Sequence, residues 1–539
     1  MTISSLPPEN LRDIFEYVIQ KTDKGTNLAF LLYNCLLVNR TWCRNVVSVL
    51  WGRPFHLLNR ASPELISVYV SGFSEDAKGE IKRYGIDFSD LLSGPLTFDY
   101  TSMLRELDHE LVYASVSQWV SRNELGHVER ERNVDGEDNE SDEEYFSIQS
   151  NIEFEKNRRV LSITQGICKQ FFSSCGPLKS LNLSRRMFPT IPNDYLLIVD
   201  LPGAREAFSQ LDEFTINTRD MNRDILPKIL ECCDSIRTLD IYSLPFSEIA
   251  TESRRSSSLS NFISRQRGLR RITLSIEIYN DNSIDYSSRY KLLPVISSLK
   301  NHLNSLNWVK FQFIKNFMNV EDIIESVLNV ETLLFCGCTL PSGPRKPSSP
   351  KFSRLRRLSL WNTTVSLDAI STIIASCQGT LKEIQLRGRF DITNSEEEIR
   401  SRLMSMLGYC SKLERLQLYT AWMCLGSSYE ILQELGETLP TSFLHLEIDL
   451  ICDPAGLQAF FEKCTLKSLT LGIGTVDTKG MGMNDENLEV IREYVTKKGS
   501  LEKLVLVGSD ITATDQGLEA TRKLIKVDRV ICCVFEMWE

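Results

Sequence analysis

The chain has 539 residues, 42% apolar and 24% charged, with a formal net charge of -10 at pH 7. That length exceeds what a single compact core keeps filling, so several domains or an elongated repeat array are expected, with ample apolar material to bury. The start "MTISSLPPEN" is no basic and apolar leader, no later apolar run approaches the roughly 18–20 residues that cross a bilayer, and the fifteen cysteines show no C-x-x-C spacing. A protein of the cytoplasm or nucleus with free thiols and no membrane partner is expected.

The first predicted element is a helix in "LPPENLRDIFEYVI", where Leu11, Ile14, Phe15, Val18 and Ile19 fall on one face and Pro7 and Pro8 suit the first turn. A second amphipathic helix lies in "LLVNRTWCRNVVSVLW", Leu36 to Trp51: Trp42, Val46, Val49 and Leu50 recur at three or four, with Asn39 as its N-cap. Some fifty residues make a marginal core alone, and Phe15, Trp42 and Trp51 offer more apolar surface than so small a module can hide. Two uses are open to the surplus: capping the rest of the chain, or docking on a separate protein.

These two segments resemble the F-box, which begins Leu-Pro-x-Glu with Leu and Ile-Phe following and closes on Val-x-Arg-x-Trp and Leu-Trp. Leu6, Pro7, Glu9, Leu11, Ile14 and Phe15 match the first half, and Val38, Arg40, Trp42, Leu50 and Trp51 the second. The intervening "KTDKGTNLAFLLYN" departs from the pattern: it is longer than usual and lacks a short Asp-Leu turn. The resemblance implies an F-box over residues 1–52 that docks on a Skp-family adaptor and, through it, on a cullin-RING ubiquitin ligase. The implied adaptor-binding residues are Leu6, Pro7, Leu11, Ile14, Phe15, Leu36, Val38, Trp42, Val46, Leu50 and Trp51.

Residues 53–128 read as a helical connector that caps the C-terminal part of the chain. Met103, Leu104, Leu107, Leu111, Val116, Trp119 and Val120 approximate one helical stripe within it. Residues 129–150 read as an acidic, disordered linker: from Glu129 to Glu144 nine acids stand against two bases, so most of the net charge sits there. Ser141 followed by Asp-Glu-Glu is similar to an acidophilic kinase site, although a solvated linker is the simpler reading. The remainder is nearly neutral and lacks the basic face that nucleic-acid binding requires.

From residue 151 to 539 the pattern L-x-x-L-x-L recurs, starting at positions 178, 211, 236, 269, 306, 330, 355, 381, 413, 443, 466 and 501, a mean spacing near 29 residues. In each copy the fourth and sixth residues share a strand face, and helix-period segments such as "SLDAISTIIASC" lie between copies. One unit cannot bury its own apolar face, so the units must stack. The expected fold class is α/β: a small helical F-box followed by a curved leucine-rich-repeat solenoid with parallel strands inside and helices outside. Cys175, Cys233, Cys377, Cys410 and Cys464, each at the end of a repeat helix, read as small buried apolar residues of the cysteine-containing repeat class. "TESRRSSSLS" at 251, "NDNSIDYSSR" at 280 and "LPSGPRKPSSPKFSR" at 340 read as loops, as does the glycine-rich "LGIGTVDTKGMGMN" at 471.

An F-box followed by such repeats implies a non-catalytic substrate receptor whose repeats hold an unidentified protein target; a repeat scaffold or GTPase regulator working without ubiquitin is the competing reading. The candidate target-binding side chains lie at variable strand positions: Arg356, Arg357, Lys382, Gln385, Arg415 and Gln417, interleaved with Glu383 and Glu414. Five scattered histidines and no H-E-x-x-H, G-x-S-x-G or P-loop motif speak against catalysis, and no metal or cofactor is expected.

Overall fold

In the computed structural model the described residues are 6–21, 28–58, 60–86, 88, 96–131, 142–184, 198–218, 225–243, 250–276, 292–315, 317, 320–341, 351–377, 379–390, 395–418, 428–448, 453–472, 484–507 and 513–530. The chain forms two compact units, one of Met1–Tyr242 with Arg265–Leu269, the other of Ser243–Ser264 with Arg270–Glu539.

The first unit opens with helices α1 (Pro8–Lys21), α2 (Leu28–Leu36) and α3 (Arg40–Leu50). Pro8 starts α1, where a missing N–H costs nothing. The carboxamide of Asn39 accepts the Trp42 N–H at 2.9 Å and so caps α3. Leu11, Phe15, Leu32, Val46 and Val49 form a shared core, with Leu6, Leu36, Trp42 and Leu50 packed against it. Four short helices come next, Pro54–Leu58, Pro63–Ser71, Glu75–Lys82 and Tyr100–Met103, and then parallel strands β1 (Glu106–Asp108), β2 (Ser180–Leu183), β3 (Glu213–Asn217) and β4 (Thr238–Tyr242).

Strand β1 corrects the expected uninterrupted helical stripe over Met103–Val120. "LRELDH" is a degenerate copy of the repeat, with Leu104 and Leu107 as its first and fourth residues and His109 where the sixth leucine belongs. His109 has no exposed surface, and that burial holds its imidazole down at about 3. Asp108 ends the strand by accepting the Leu111 N–H at 2.9 Å and the Asn182 carboxamide N–H at 2.7 Å. Of the linker expected over 129–150, residues up to 131 close the helix His109–Glu131 and residues from 142 open the helix Asp142–Ser174. Residues 132–141, and with them Ser141, fall outside the described residues.

The second unit contains β5 (Arg271–Ser275), β6 (Trp308–Gln312), β7 (Thr332–Cys336), β8 (Thr339–Leu340), β9 (Arg357–Val365), β10 (Glu383–Phe390), β11 (Arg415–Leu418), β12 (His445–Ile448), β13 (Ser468–Gly472), β14 (Lys503–Val507) and β15 (Lys526–Val530). They pair in parallel in chain order, except that β7 and the two-residue β8 both pair with β9. All twelve copies of L-x-x-L-x-L therefore become strands, and β1, the two-residue β8 and β15 add three that the strict pattern misses. Along β11, Leu416 and Leu418 point into the core while Arg415 and Gln417 lie on the opposite face.

"TESRRSSSLS", expected as a loop, lies in the helix Ala250–Arg265. Leu259, Phe262 and Ile263 are buried at helical spacing, and that apolar face holds the helix against the low propensity of its serines. The segment at 280–289 falls outside the described residues, as do 342–350 of the stretch at 340 and 473–483 of the glycine-rich stretch.

One backbone contact repeats throughout. Two consecutive N–H groups at the start of a strand donate to a single carbonyl of the unit before it. In the first unit Arg105 and Glu106 donate to Gly52, Lys179 and Ser180 share the Arg105 carbonyl, and Asp212 and Glu213 share that of Lys179, at 2.6–3.3 Å. In the second, Arg356 and Arg357 donate to Glu331, Lys382 and Glu383 to Arg356, and Glu414 and Arg415 to Lys382, at 2.8–3.0 Å.

This packing makes two outcomes measurable. Leu416→Ala, at a site with no exposed surface, should lower stability by about 2–5 kcal/mol in urea titration. For His109 the folded pKa lies below the unfolded value, so the unfolded chain binds the extra proton and stability falls as pH drops from about 6.5 toward 3. His109→Leu should flatten this loss when melting temperature is followed from pH 7 to pH 4.5.

Candidate protein-interaction surfaces

The three N-terminal helices have two distinct faces. Leu11, Phe15 and Val46, expected at a docking surface, are instead core residues, because only their burial against Leu32 and Val49 joins helices of 9–14 residues into a module. The large apolar side chains left outside are Ile14 and Tyr17 on α1, Phe30 and Tyr33 on α2, and Leu37 and Val38 in the turn before α3. These six are half of the twelve exposed large hydrophobics among the described residues, concentrated within 25 positions, with Phe30 at 61% and Leu37 at 68% exposure. Ile14 and Val38 belong to the expected docking set, and Pro7 is exposed beside them. Tyr17, Phe30, Tyr33 and Leu37 escaped the sequence reading although Phe30, Tyr33 and Leu37 follow helical spacing, since nothing in the spacing says which helix face is covered.

The two tryptophans part company. Trp42 packs edge-on against Phe15 at 5.3 Å between ring centroids, inside the three-helix module. Trp51 meets Tyr69 at 5.4 Å and Tyr100 at 4.1 Å, side chains of the later helices. Beside it Arg53 bridges Glu16 of α1 at 2.6 Å and Glu106 of β1 at 3.3 Å. Burial raises the Glu106 pKa, with the Arg53 cation opposing that rise. One end of the module is thus a seat for the first strand. Gly52 is part of that seat: a Cβ there would stand 2.9 Å from the Ser48 carbonyl oxygen.

The second surface is the strand face of the second unit, opposite its core. Arg357 pairs with Glu383 at 2.7 Å on the neighbouring strand, and Lys382 pairs with Glu414. Arg356 is exposed and Arg415 half-buried. Gln385 and Gln417, expected to face a target, are only 1% and 4% exposed. They sit at paired positions of β10 and β11, inside a polar ladder: the Ser359 hydroxyl donates to Gln385 Oε1, and Gln417 Nε2 donates to Glu447 Oε2 at 2.7 Å. Among the described residues Gln385 Nε2, a donor, and Gln417 Oε1, an acceptor, have no hydrogen-bond partner. Both glutamines therefore tie strands together.

A cleft of about 340 Å³ opens beside the ladder, lined among others by Arg415, His445, Glu447, Lys467 and Lys503. Burial, with Arg415 and Lys467 adding to it, lowers the His445 pKa, which leaves its ring uncharged near neutrality. Further along the face, Arg271 lies over the Trp308 ring at 4.5 Å and Arg387 over the Trp361 ring at 4.1 Å. None of these four was singled out from the sequence. Trp361 and Arg387 lie one residue beyond the six-residue pattern, where the motif no longer tells strand from loop.

Among the described residues no group of three or more His, Cys, Asp or Glu is placed to hold a metal ion, and no helix is long and apolar enough to cross a membrane. Cys233, Cys377, Cys410 and Cys464 are buried free thiols and Cys175 is half-buried. Burial pushes the Cys410 thiol to about 12 and those of Cys175 and Cys464 to about 11, far from the thiolate a nucleophile needs. Iodoacetamide at pH 8 should therefore modify Cys410 at least about tenfold more slowly in the native chain than in urea, as read by peptide mass spectrometry.

No protein-family model matches the chain, and no curated protein matches it. Among solved structures, an internalin from Listeria monocytogenes shares 16% identity over 69% of this chain and 83% of its own, with a TM-score of 0.35. TLR13 in complex with ssRNA13 shares 14% over 66% of this chain and 53% of its own, with a TM-score of 0.24. The class defined here is a repeat protein of the leucine-rich type, and that rests on the chain's own strand and helix units.

Proposed function

We propose that the chain is the substrate-recognition subunit of a Skp-cullin-F-box ubiquitin ligase. Ile14, Tyr17, Phe30, Tyr33, Leu37 and Val38 receive the Skp-family adaptor, and the strand face of the repeats holds a protein target. The receptor breaks no covalent bond; it sets one protein beside the machinery brought by another. The observation that carries this reading is the concentration of exposed apolar side chains on helices whose own core is already complete. Such a surface suits a partner, because covering an aromatic or leucine side chain is worth about 1.5–3 kcal/mol. The F-box resemblance of the same helices supports it independently.

Co-expression with a Skp-family adaptor tests the proposal. The full chain should co-purify with the adaptor, and Phe30→Asp with Leu37→Asp should abolish the complex with an unchanged melting temperature. Leu11→Asp should instead unfold the module. A chain that fails to bind any Skp-family adaptor, or binds equally well with both surface substitutions in place, is not such a receptor.

A further inference from the structure

The strand face of the second unit has a local chemistry that a mixed-sign reading hides. Across β5, β6, β7, β9 and β10 the outward charged residues among the described side chains are Arg271, Lys310, Arg357, Arg387 and Glu383. Glu383 is engaged by Arg357, which leaves a cationic excess. Among the described residues no carboxylate forms an ion pair with Arg271 or Lys310. The middle strand β7 contributes no charge, its outward residues being Thr332, Leu334 and Cys336.

The two arginine-on-tryptophan stacks stand at opposite ends of this field. Arg271 and Trp308 are paired at the start of β5 and β6, and Trp361 and Arg387 are paired midway along the β9 and β10 ladder, just before its bulge. A guanidinium laid on an indole is held in place before any partner arrives, so it loses little freedom on binding, and Trp and Arg are the residue types that most often dominate interfaces. With strands about 4.8 Å apart, the five strands span about 19 Å, the reach of six or so extended residues at roughly 3.3 Å each.

From these observations we infer that this field is the docking site for an acidic peptide segment of the target, with carboxylates meeting Arg271 and Lys310 beside the uncharged, buried Leu334. The inference rests on the reading that the repeat face binds a protein, and is independent of the adaptor. Single-stranded nucleic acid fits less well. Each tryptophan has one face already covered by an arginine, and Leu334, Cys336 and Ser359 interrupt the continuous cationic track that a phosphate backbone needs.

Fluorescence anisotropy on the full chain tests it with three labelled probes: a pool of 12-residue peptides rich in Asp and Glu with scattered Leu and Phe, the same pool with Lys and Arg in place of the acids, and a uridine 12-mer. The acidic pool should bind and the basic pool should not. Arg271→Glu or Lys310→Glu should weaken binding roughly tenfold, Lys310→Arg should keep it, and Lys463→Glu, on the helix Pro454–Lys463, should leave it unchanged. Equal binding of both peptide pools, no binding of the acidic pool, indifference to Lys310→Glu, or binding of the uridine 12-mer alone overturns the inference. Acidic binding by a chain that takes no adaptor sinks the ligase proposal and keeps this one; an adaptor complex with charge-blind peptide binding does the reverse.

Discussion

A single backbone contact recurs along both runs of repeats: one carbonyl accepting two successive N–H groups from the next strand. It leaves no freedom of register. Once the first residue of a strand is fixed, the two leucines that come after it at alternate positions must point inward, since a slip of one residue would turn them to solvent. In the second unit this contact recurs from the Arg270 carbonyl to that of Lys467, through repeats whose lengths differ by more than ten residues. The variation is absorbed between strands, in the helices and loops, and the sheet stays in step.

In the first unit the series begins at Gly52, the residue after the tryptophan that closes the N-terminal motif. The helical module is therefore built into the repeats as the acceptor for the first strand. Trp51, Arg53 and Gly52 belong to that seat, while Trp42 and Phe15 hold the three helices together. The contacts that seat the first strand and the exposed apolar side chains, which the sequence does not separate, occupy different faces of one small module.

Charge is also organised unit by unit. The strand face of the first unit has Glu106, Asp108, Glu213 and Asp240, whereas that of the second is dominated by arginine and lysine. Most of these groups are partly exposed, where an ion pair contributes about 0–1 kcal/mol. They add little to stability and are better placed to select a partner by sign.

The L-x-x-L-x-L spacing by itself determined twelve strands, their parallel order and their buried leucines, because a period-two apolar pattern admits one orientation and units that cannot bury their own faces must stack. The same spacing located the buried cysteines, and helical periodicity located the caps and cores of α1 and α3. Tertiary structure alone decided the rest. His109 completes a repeat although its side chain is polar, because burial keeps it neutral. "TESRRSSSLS" is helical because Leu259 within it and Phe262 and Ile263 just after it are buried. Gln385 and Gln417 look like surface positions in the pattern, yet their neighbours on adjacent strands cover them. Which apolar side chains of the N-terminal helices stay exposed was likewise beyond the sequence: period marks a helix's faces, but only the packing of the other helices decides which face meets solvent.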